Sequence, residues 1–219
     1  NTDAVVMKGQ KFLGGAKSPT TSDILTGVEN AIKSALSESN TSSDDVDVLI
    51  IGTTHFVNAL VQRTKLAQTG VIRMCLPSGS SILPFADWPN SLVSGMKGTY
   101  KLIKGGYEMT GAEISQLDHN ELISAARELR DMGCNQIAIS SVFATVRGDM
   151  EQEALEILTK EMPDLSITLS KSIGGMGLLE RENAAIINAS LRPLAAEVID
   201  SFKLLQKSLD LSCPMFFTR

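Results

Sequence analysis

The chain has 219 residues, of which 43% are hydrophobic and 21% are charged, and its formal net charge is −5. This composition excludes a disordered or collagen-like chain and supports a sizeable buried core. The negative charge and the lack of a basic cluster argue against a nucleic-acid partner, because phosphate binding depends on clustered Lys and Arg. No apolar run in the sequence approaches the roughly 20 residues of a membrane span, so we expect a soluble chain with no membrane partner.

The cysteines and histidines indicate neither disulfides nor a structural metal site. Cys75, Cys134 and Cys213 are odd in number and widely spaced, which is typical of reduced, buried thiols in a cytoplasmic protein. His55 and His119 are 64 positions apart and show no metal-ligand spacing, so no metal ligands are assigned.

The first 38 residues predict a hairpin followed by a helix. Two apolar runs flank Lys8-Gly9-Gln10, where glycine allows a positive φ angle. Ser22-Asp23 offers an N-cap, and apolar residues then recur at helical spacing through residue 38.

Two apolar runs, residues 46–52 and 69–76, flank a short helical segment. The first run is rich in β-branched residues and predicts a fully buried strand. Strand, helix and strand within about 30 residues favour a βαβ unit with parallel pairing of the two strands.

The second half of the chain alternates helices and strands after an irregular stretch. Residues 77–118 predict an insertion with one short hairpin at 98–111, rich in Pro, Gly and Ser. A helix over 119–132 ends at Gly133, and a later helix stops before Pro163. At the start of that later helix we expect Asp149 to be the N-cap and Glu151 to be a first-turn acid without a catalytic role.

A long helix over 179–209 and a terminal strand complete the pattern. Apolar positions recur there at helical period, and Pro193 predicts a kink or break near Arg192. We therefore expect an α/β fold in four segments: 1–76, 77–118, 119–178 and 179–219.

Polar residues follow the first buried run at a position where α/β proteins bind ligands. Thr53 and Thr54 lie at a helix start, where free N–H groups favour an anion or a carbonyl oxygen. Helical projection places Val57 and Val61 on a packing face and His55, Asn58, Ala59 and Gln62 on the opposite face. The alternative is that a threonine only caps the helix and the polar face meets solvent.

The start of the long helix is a second candidate. Gly174, Gly175 and Gly177 precede the charged residues 180–182. Glu180 projects in line with the apolar stripe, where a carboxylate needs a partner such as Arg181 or a ligand. The alternative is a solvated surface loop. The sequence contains no complete P-loop, GxGxxG or GxSxG motif.

Together these segments resemble the N-terminal region of the hydantoinase/oxoprolinase family. Its Gly-Thr-Thr-x-x-x-Asn-Ala-Leu-x-x-Arg signature is matched without a gap by Gly52, Thr53, Thr54, Asn58, Ala59, Leu60 and Arg63. Its Glu-Arg motif and the following Asn-Ala-x-Leu-x-Pro are matched by Glu180, Arg181, Asn188, Ala189, Leu191 and Pro193. Thr2 and Asp3 resemble the end of its phosphate loop, whereas His55 departs from the family pattern.

The resemblance implies half of an actin-like ATPase (ribonuclease H-like) fold, with mixed sheets, flanking helices and an inserted α/β subdomain. It implies ATP-dependent opening of a cyclic amide, with Mg²⁺ and a second catalytic half or subunit. The residue roles that it implies are catalytic for Thr53, Thr54, Asn58 and Asp3, substrate-binding for His55, Arg63, Glu180 and Arg181, and ATP-binding for Thr2 and Asp3.

Two further expectations follow from the resemblance. The 219-residue chain alone is expected neither to bind ATP tightly nor to turn over, and a homo-oligomer remains open. The alternatives are another actin-like phosphotransferase, such as a small-molecule kinase, and a non-catalytic regulatory or assembly domain.

Overall fold

The structure is a computed structural model that describes residues 1–19 and 24–218. Fourteen helices and strands over this part of the chain are, in order, β1 (Thr2–Lys8), β2 (Lys11–Ser18), α1 (Ile24–Glu38), β3 (Leu49–Gly52), α2 (His55–Gln62), β4 (Thr69–Leu76), α3 (Asn90–Gly95), β5 (Thr99–Lys104), α4 (His119–Asp131), β6 (Gln136–Ser141), α5 (Asp149–Glu161), β7 (Ser166–Leu169), α6 (Leu178–Ser208) and β8 (Met215–Thr218). The α/β class is confirmed.

The chain forms two compact units. The first unit comprises Asn1–His55 and Ala195–Arg219, and the second comprises Phe56–Leu194. The division into four segments that the sequence suggests stays a prediction.

The first unit contains the expected hairpin. β1 and β2 pair antiparallel, and Gly9 turns the chain between them with a φ angle of +60°. The hairpin approaches the end of α1 closely, since a Cβ atom on Gly14 would lie 2.8 Å from the backbone nitrogen of Ser39. Helix α1 ends at Glu38 as expected, whereas the proposed N-cap Ser22-Asp23 lies outside the described residues.

Strand β3 differs from its prediction in burial and in pairing. Ile51 is buried but Ile50 is 62% exposed, because the strand packs only one face. β3 pairs in parallel with β8, and β4 lies in another sheet, so the expected βαβ pairing is wrong. Strand β4, whose seven residues 69–75 are all buried, occupies an interior position in a larger sheet.

The second unit is built on a parallel sheet in the order β5-β4-β6-β7. Helices α4 and α5 cover one face, where Ile72, Ile139 and Leu158 share a buried cluster. Residues of α3 and the first half of α6 pack on the other face, where Val71 and Ile186 are buried. The sheet is therefore covered by helices on both sides, which is the usual setting of a parallel sheet.

The stretch 77–118 is more regular than expected. Its predicted hairpin is wrong, because Thr99–Lys104 forms strand β5 parallel to β4. The glycine pair that follows has positive φ angles, +136° at Gly105 and +90° at Gly106. These angles lead the chain away from β5 without returning it as a second strand.

Helices α4 and α5 differ in the residue at the N-cap position. Asp118 accepts hydrogen bonds from the first backbone N–H groups of α4, and Gly133 follows the helix with a φ angle of +96°, as expected. Helix α5 begins at Asp149 itself, with Gly148 at the N-cap position. The expected N-cap role of Asp149 is therefore wrong, and its carboxylate accepts a hydrogen bond from Arg147 instead.

Helix α6 runs through Pro193 without the break that was expected near Arg192. Its apolar stripe is buried as expected at Leu194, Val198, Phe202 and Leu205, in the second half of the helix. In the first half the buried face is rotated, and it consists of Arg181, Glu182, Ala185, Ile186, Ala189 and Ser190. Arg181 and Glu182 can be buried on that face because each forms hydrogen bonds with other buried side chains.

Candidate functional site

The turn after β3 is organised by Thr53. Its hydroxyl oxygen accepts a hydrogen bond from the backbone N–H of His55 at 3.2 Å and lies 2.5 Å from Nδ1 of the His55 ring. Thr53 therefore caps α2 and also orients the imidazole. Thr54, which lies between Thr53 and His55 in the chain, is exposed at the start of α2.

The remaining signature residues lie in the second unit. Asn58 is exposed on α2, as the predicted polar face requires, and Arg63 is exposed just after the helix with a φ angle of +55°. The predicted packing face is wrong, since Val57 and Val61 are 60% and 68% exposed while Ala59 is buried. Asn58 and Gln62, on the opposite predicted face, are exposed as well, so the helical projection did not locate the covered face.

Thr2 and Asp3 lie at the start of β1. The Asp3 carboxylate forms an exposed ion pair with Lys17 on β2, with an N–O distance of 3.3 Å. Among the described residues no group of three His, Cys, Asp or Glu side chains could hold a metal ion. The Mg²⁺ that the resemblance implies therefore has no assigned set of ligands among the described residues, and no step is derived through a metal.

Arg181 braces the glycine-containing loop before α6. Its guanidinium is fully buried and donates hydrogen bonds to Ser170 Oγ at 2.9 Å and to the carbonyl of Ser141 at 2.6 Å. Its Nη1 atom also donates to the loop carbonyls of residues 175–177. Arg181 thus fixes the loop and the start of α6 to the carboxyl ends of β6 and β7.

The buried carboxylate next to Arg181 is Glu182, whereas Glu180 is exposed. Glu182 accepts two hydrogen bonds from the Arg73 guanidinium, at 2.8 and 2.5 Å, and one from Ser140 Oγ at 2.5 Å. Sequence reasoning missed this pair. A signal was present in Arg73, which interrupts the otherwise apolar strand β4 and whose charge requires a buried partner.

A second buried carboxylate, Glu151, was also missed. It accepts hydrogen bonds from Ser170 Oγ at 2.6 Å and from the backbone N–H groups of Ser141 and Lys171. Burial raises the pKa of Glu151 above its usual range, and the hydrogen bonds oppose this effect. Burial likewise lowers the pKa of the Arg181 guanidinium, against the attraction of Glu151 and Glu182. The buried side chains of Arg73, Glu151, Arg181 and Glu182 thus link the carboxyl-terminal parts of β4, β6 and β7.

Comparison with known proteins identifies the family of the chain. The sequence profile described as "Hydantoinase/oxoprolinase N-terminal region" matches residues 1–162. The chain belongs to the hydantoinase/oxoprolinase family. A search of curated proteins found no match.

Two solved structures share the fold of this hydantoinase/oxoprolinase region. The ATP-dependent caprolactamase from Pseudomonas jessenii has a TM-score of 0.77 and 20% identity, over 98% of this chain and 33% of its own. A nucleotide-free acetone carboxylase has a TM-score of 0.71 and 16% identity, over 94% of this chain and 33% of its own. The expected actin-like fold is confirmed, and the chain spans about a third of each of these proteins.

The three cysteines are free and buried, as the sequence indicates. None of the helices within the described ranges is long and apolar enough to cross a membrane.

Proposed function

We propose that this chain is the N-terminal part of an enzyme that uses ATP to open a cyclic amide. The supporting observation is the family match over residues 1–162, joined to a fold likeness with an ATP-dependent caprolactamase over nearly the whole chain. Since the chain spans about a third of that enzyme, we propose that a second catalytic part, in the same or a partner subunit, completes the site.

The chemistry explains why ATP would be required. An unactivated amide is a poor electrophile, so water attacks it slowly. In the proposed reaction the amide oxygen attacks the γ-phosphorus of the co-substrate ATP, and ADP leaves. Water then adds to the activated carbon and the ring nitrogen leaves, which breaks the C–N bond and gives an acyl phosphate. A second water attacks the same carbon, and phosphate departs with the former carbonyl oxygen to give an amino acid.

We propose that the turn after β3 contacts the reacting groups. Thr53 holds the His55 ring, and Thr54 offers a hydroxyl at the exposed helix start. Asn58 and Arg63 present an amide and a guanidinium that would bind substrate oxygen atoms. A role for Thr2 and Asp3 at the phosphates of ATP stays a prediction, as do substrate contacts for Glu180.

Arg181 takes a different proposed role from the direct substrate contact that the sequence suggested. Each of its three guanidinium nitrogens is used in a hydrogen bond that fixes the loop or a strand end, and its side chain is fully buried. We propose that it positions the loop of residues 173–177 and does not itself contact substrate. Cytoplasmic location also stays a proposal, and it is compatible with three unpaired thiols.

The likeness to acetone carboxylase supports a second candidate. Ketones and amides both present a carbonyl oxygen that ATP can phosphorylate, so the same fold would serve carboxylation of a small ketone. The two candidates differ in the second reactant, which is water for the amide and bicarbonate for the ketone.

An isotope experiment on the longer protein that contains this chain tests the proposal. A lactam labelled with ¹⁸O at its carbonyl is incubated with ATP, and phosphate and product are analysed by mass spectrometry. We expect ring opening only with ATP and one ¹⁸O atom in inorganic phosphate. Ring opening that leaves the label wholly in the carboxylate would refute this route, and bicarbonate-dependent consumption of acetone would favour the second candidate.

A further inference from the structure

The segment of residues 77–83, which follows strand β4, helps to form a groove in the second unit. The groove has a volume of about 340 Å³. Ser81 and Ile82 line it from this segment, and residues 178–180 line it from the start of α6. The chain passes from β4 to β5 on one side and then returns to place β6 on the other side of β4. Such a reversal of strand order is where open parallel sheets leave a crevice for ligands.

The segment 77–83 has few contacts of its own that would fix its position. Residues 80–83 are exposed, and Ile82 is 53% exposed. Of the hydrogen bonds between residues that the structure describes, one reaches residues 80–82. It runs from Nη1 of Arg73 to the carbonyl oxygen of Ile82, at 2.5 Å. A single buried guanidinium therefore holds the middle of an exposed segment.

The orientation of the Arg73 guanidinium is fixed by Glu182. Nε and Nη2 of Arg73 donate to the two carboxylate oxygens of Glu182, and Ser140 Oγ donates to the same carboxylate. All three side chains are at most 1% exposed. Because a planar guanidinium that is bound through two of its nitrogens has one orientation, the third nitrogen is directed at Ile82. Each nitrogen of Arg73 is thus used on a protein group.

The same hydrogen bonds reach the other residues that line the groove. Glu182 belongs to the same short stretch of α6 as the lining residues 178–180. Arg73 therefore connects the segment 77–83 to the start of α6 through one rigid group. The spacing between the two sets of lining residues is set by this buried pair, since the exposed segment has little packing of its own.

We propose that Arg73 is a positioning residue: together with Glu182 it holds the segment 77–83 against the start of α6 and keeps the groove in the shape that the reaction requires. The link to the reaction rests on the proposed function, whereas the hold on the segment rests on the hydrogen bonds. If the pair served stability alone, any replacement that restored stability would restore activity as well.

A variant that restores stability but not the hold on Ile82 tests this inference. Arg73→Met combined with Glu182→Leu replaces the buried ion pair with apolar side chains, a change that often preserves stability. It leaves the Ile82 carbonyl without its donor. In the longer protein we expect the double variant to recover much of the stability that Arg73→Met loses. Its kcat/KM for lactam opening should nevertheless stay at least about tenfold below the wild-type value. Recovery of kcat/KM together with stability would overturn the inference.

Hydrogen exchange in the longer protein measures the hold directly. The backbone N–H groups of Gly79 and Ala86 donate to the carbonyls of Cys75 and Leu83 in and beside the segment. Their exchange should be about tenfold faster in the double variant, as expected when one hydrogen bond to a charged donor is lost. Glu128→Gln, in an exposed ion pair, should leave it unchanged. Wild-type exchange in the double variant would overturn the inference.

Arg73→Lys keeps the inference testable if the double variant does not fold. Lysine retains a cation opposite Glu182, but its one nitrogen on a flexible chain cannot reproduce two fixed bonds to the carboxylate and a third to Ile82. We expect the variant to fold, to exchange faster at Gly79 and Ala86, and to lose about tenfold in kcat/KM. Wild-type exchange or wild-type kcat/KM in Arg73→Lys would contradict the inference.

The outcome is separable from that of the proposed function. If the wild-type longer protein opens no lactam, the proposed function fails, and hydrogen exchange still tests the hold of Arg73 on the segment. If the wild type opens the lactam and the double variant does so equally well, this inference fails and the proposed function stands.

Discussion

Arg73 and Glu182 are each almost completely buried, and each would be costly without the other. Their two hydrogen bonds, together with Ser140 Oγ on Glu182, satisfy charges that strand β4 and helix α6 carry into the second unit. Breaking a buried ion pair leaves an uncompensated charge, which is more damaging than losing an exposed pair. The pair therefore ties the start of α6 to the sheet.

Arg73→Met is expected to lower the free energy of unfolding of the second unit by about 3–5 kcal/mol, because Glu182 loses its cation. Urea titration followed by fluorescence of Trp88, which packs in this unit, measures the change. Adding Glu182→Leu to Arg73→Met should recover much of the loss. Glu128→Gln, in an exposed pair with Lys101, is the control and should have a much smaller effect. Equal losses in Arg73→Met and Glu128→Gln would contradict this assignment.

Glu151 predicts a pH dependence of stability. Burial raises its folded-state pKa, so the folded state holds the proton at a pH where the unfolded state has released it. The stabilisation from this group is complete below its unfolded pKa, near 4.5, and is lost as pH rises through the folded pKa. The unfolding free energy of the wild type relative to Glu151→Gln should fall as pH rises from about 4.5. A difference that is constant or rises over this range would show that the pKa is not raised.

At the scale of elements, local signals placed most helices and strands but did not determine their partners. The turn at Gly9 and the end of α4 at Gly133 could be predicted because each depends on one residue with a positive φ angle. The pairing of β3 with β8 could not, since those strands are far apart in sequence. The buried face at the start of α6 was missed for a related reason: Arg181 and Glu182 are buried only because distant residues pair with them.

The close approach of β2 to the end of α1 gives a prediction at this scale. Gly14→Ala should destabilise the first unit by about 1–3 kcal/mol, because the new Cβ atom would lie 2.8 Å from the Ser39 backbone nitrogen. Gly52→Ala, where nothing lies within 4 Å of the new atom, is the matched control. Hydrogen exchange in α1 should accelerate in Gly14→Ala only. Equal exchange in the two variants would indicate that the hairpin can move away at little cost.

At the scale of the whole molecule, the chain corresponds to about a third of the two solved enzymes that share its fold. The signature after β3 carried the family assignment from sequence, because seven matched positions at fixed spacing are far more specific than a threonine at a helix start. The conformation of that turn is also compatible with simple capping by Thr53.

We expect the 219-residue chain alone to show no robust ATP hydrolysis. The chain spans about a third of each of the two solved enzymes that share its fold, so it would lack the proposed second catalytic part. Phosphate release measured with and without Mg²⁺, against the longer protein as the positive control, tests this expectation. Sustained turnover by the isolated chain would refute it.

The most direct measurement of the central claim is kcat/KM for ATP-dependent lactam opening by the longer protein carrying Thr54→Ala or Asn58→Ala. If the turn after β3 contacts the reacting groups, each variant should lose about 100-fold or more, as when a group that stabilises a transition state is removed. Thr64→Ala and Asn120→Ala, at exposed positions outside the signature, should retain wild-type values. Unchanged kcat/KM in both Thr54→Ala and Asn58→Ala would remove this turn from the active site.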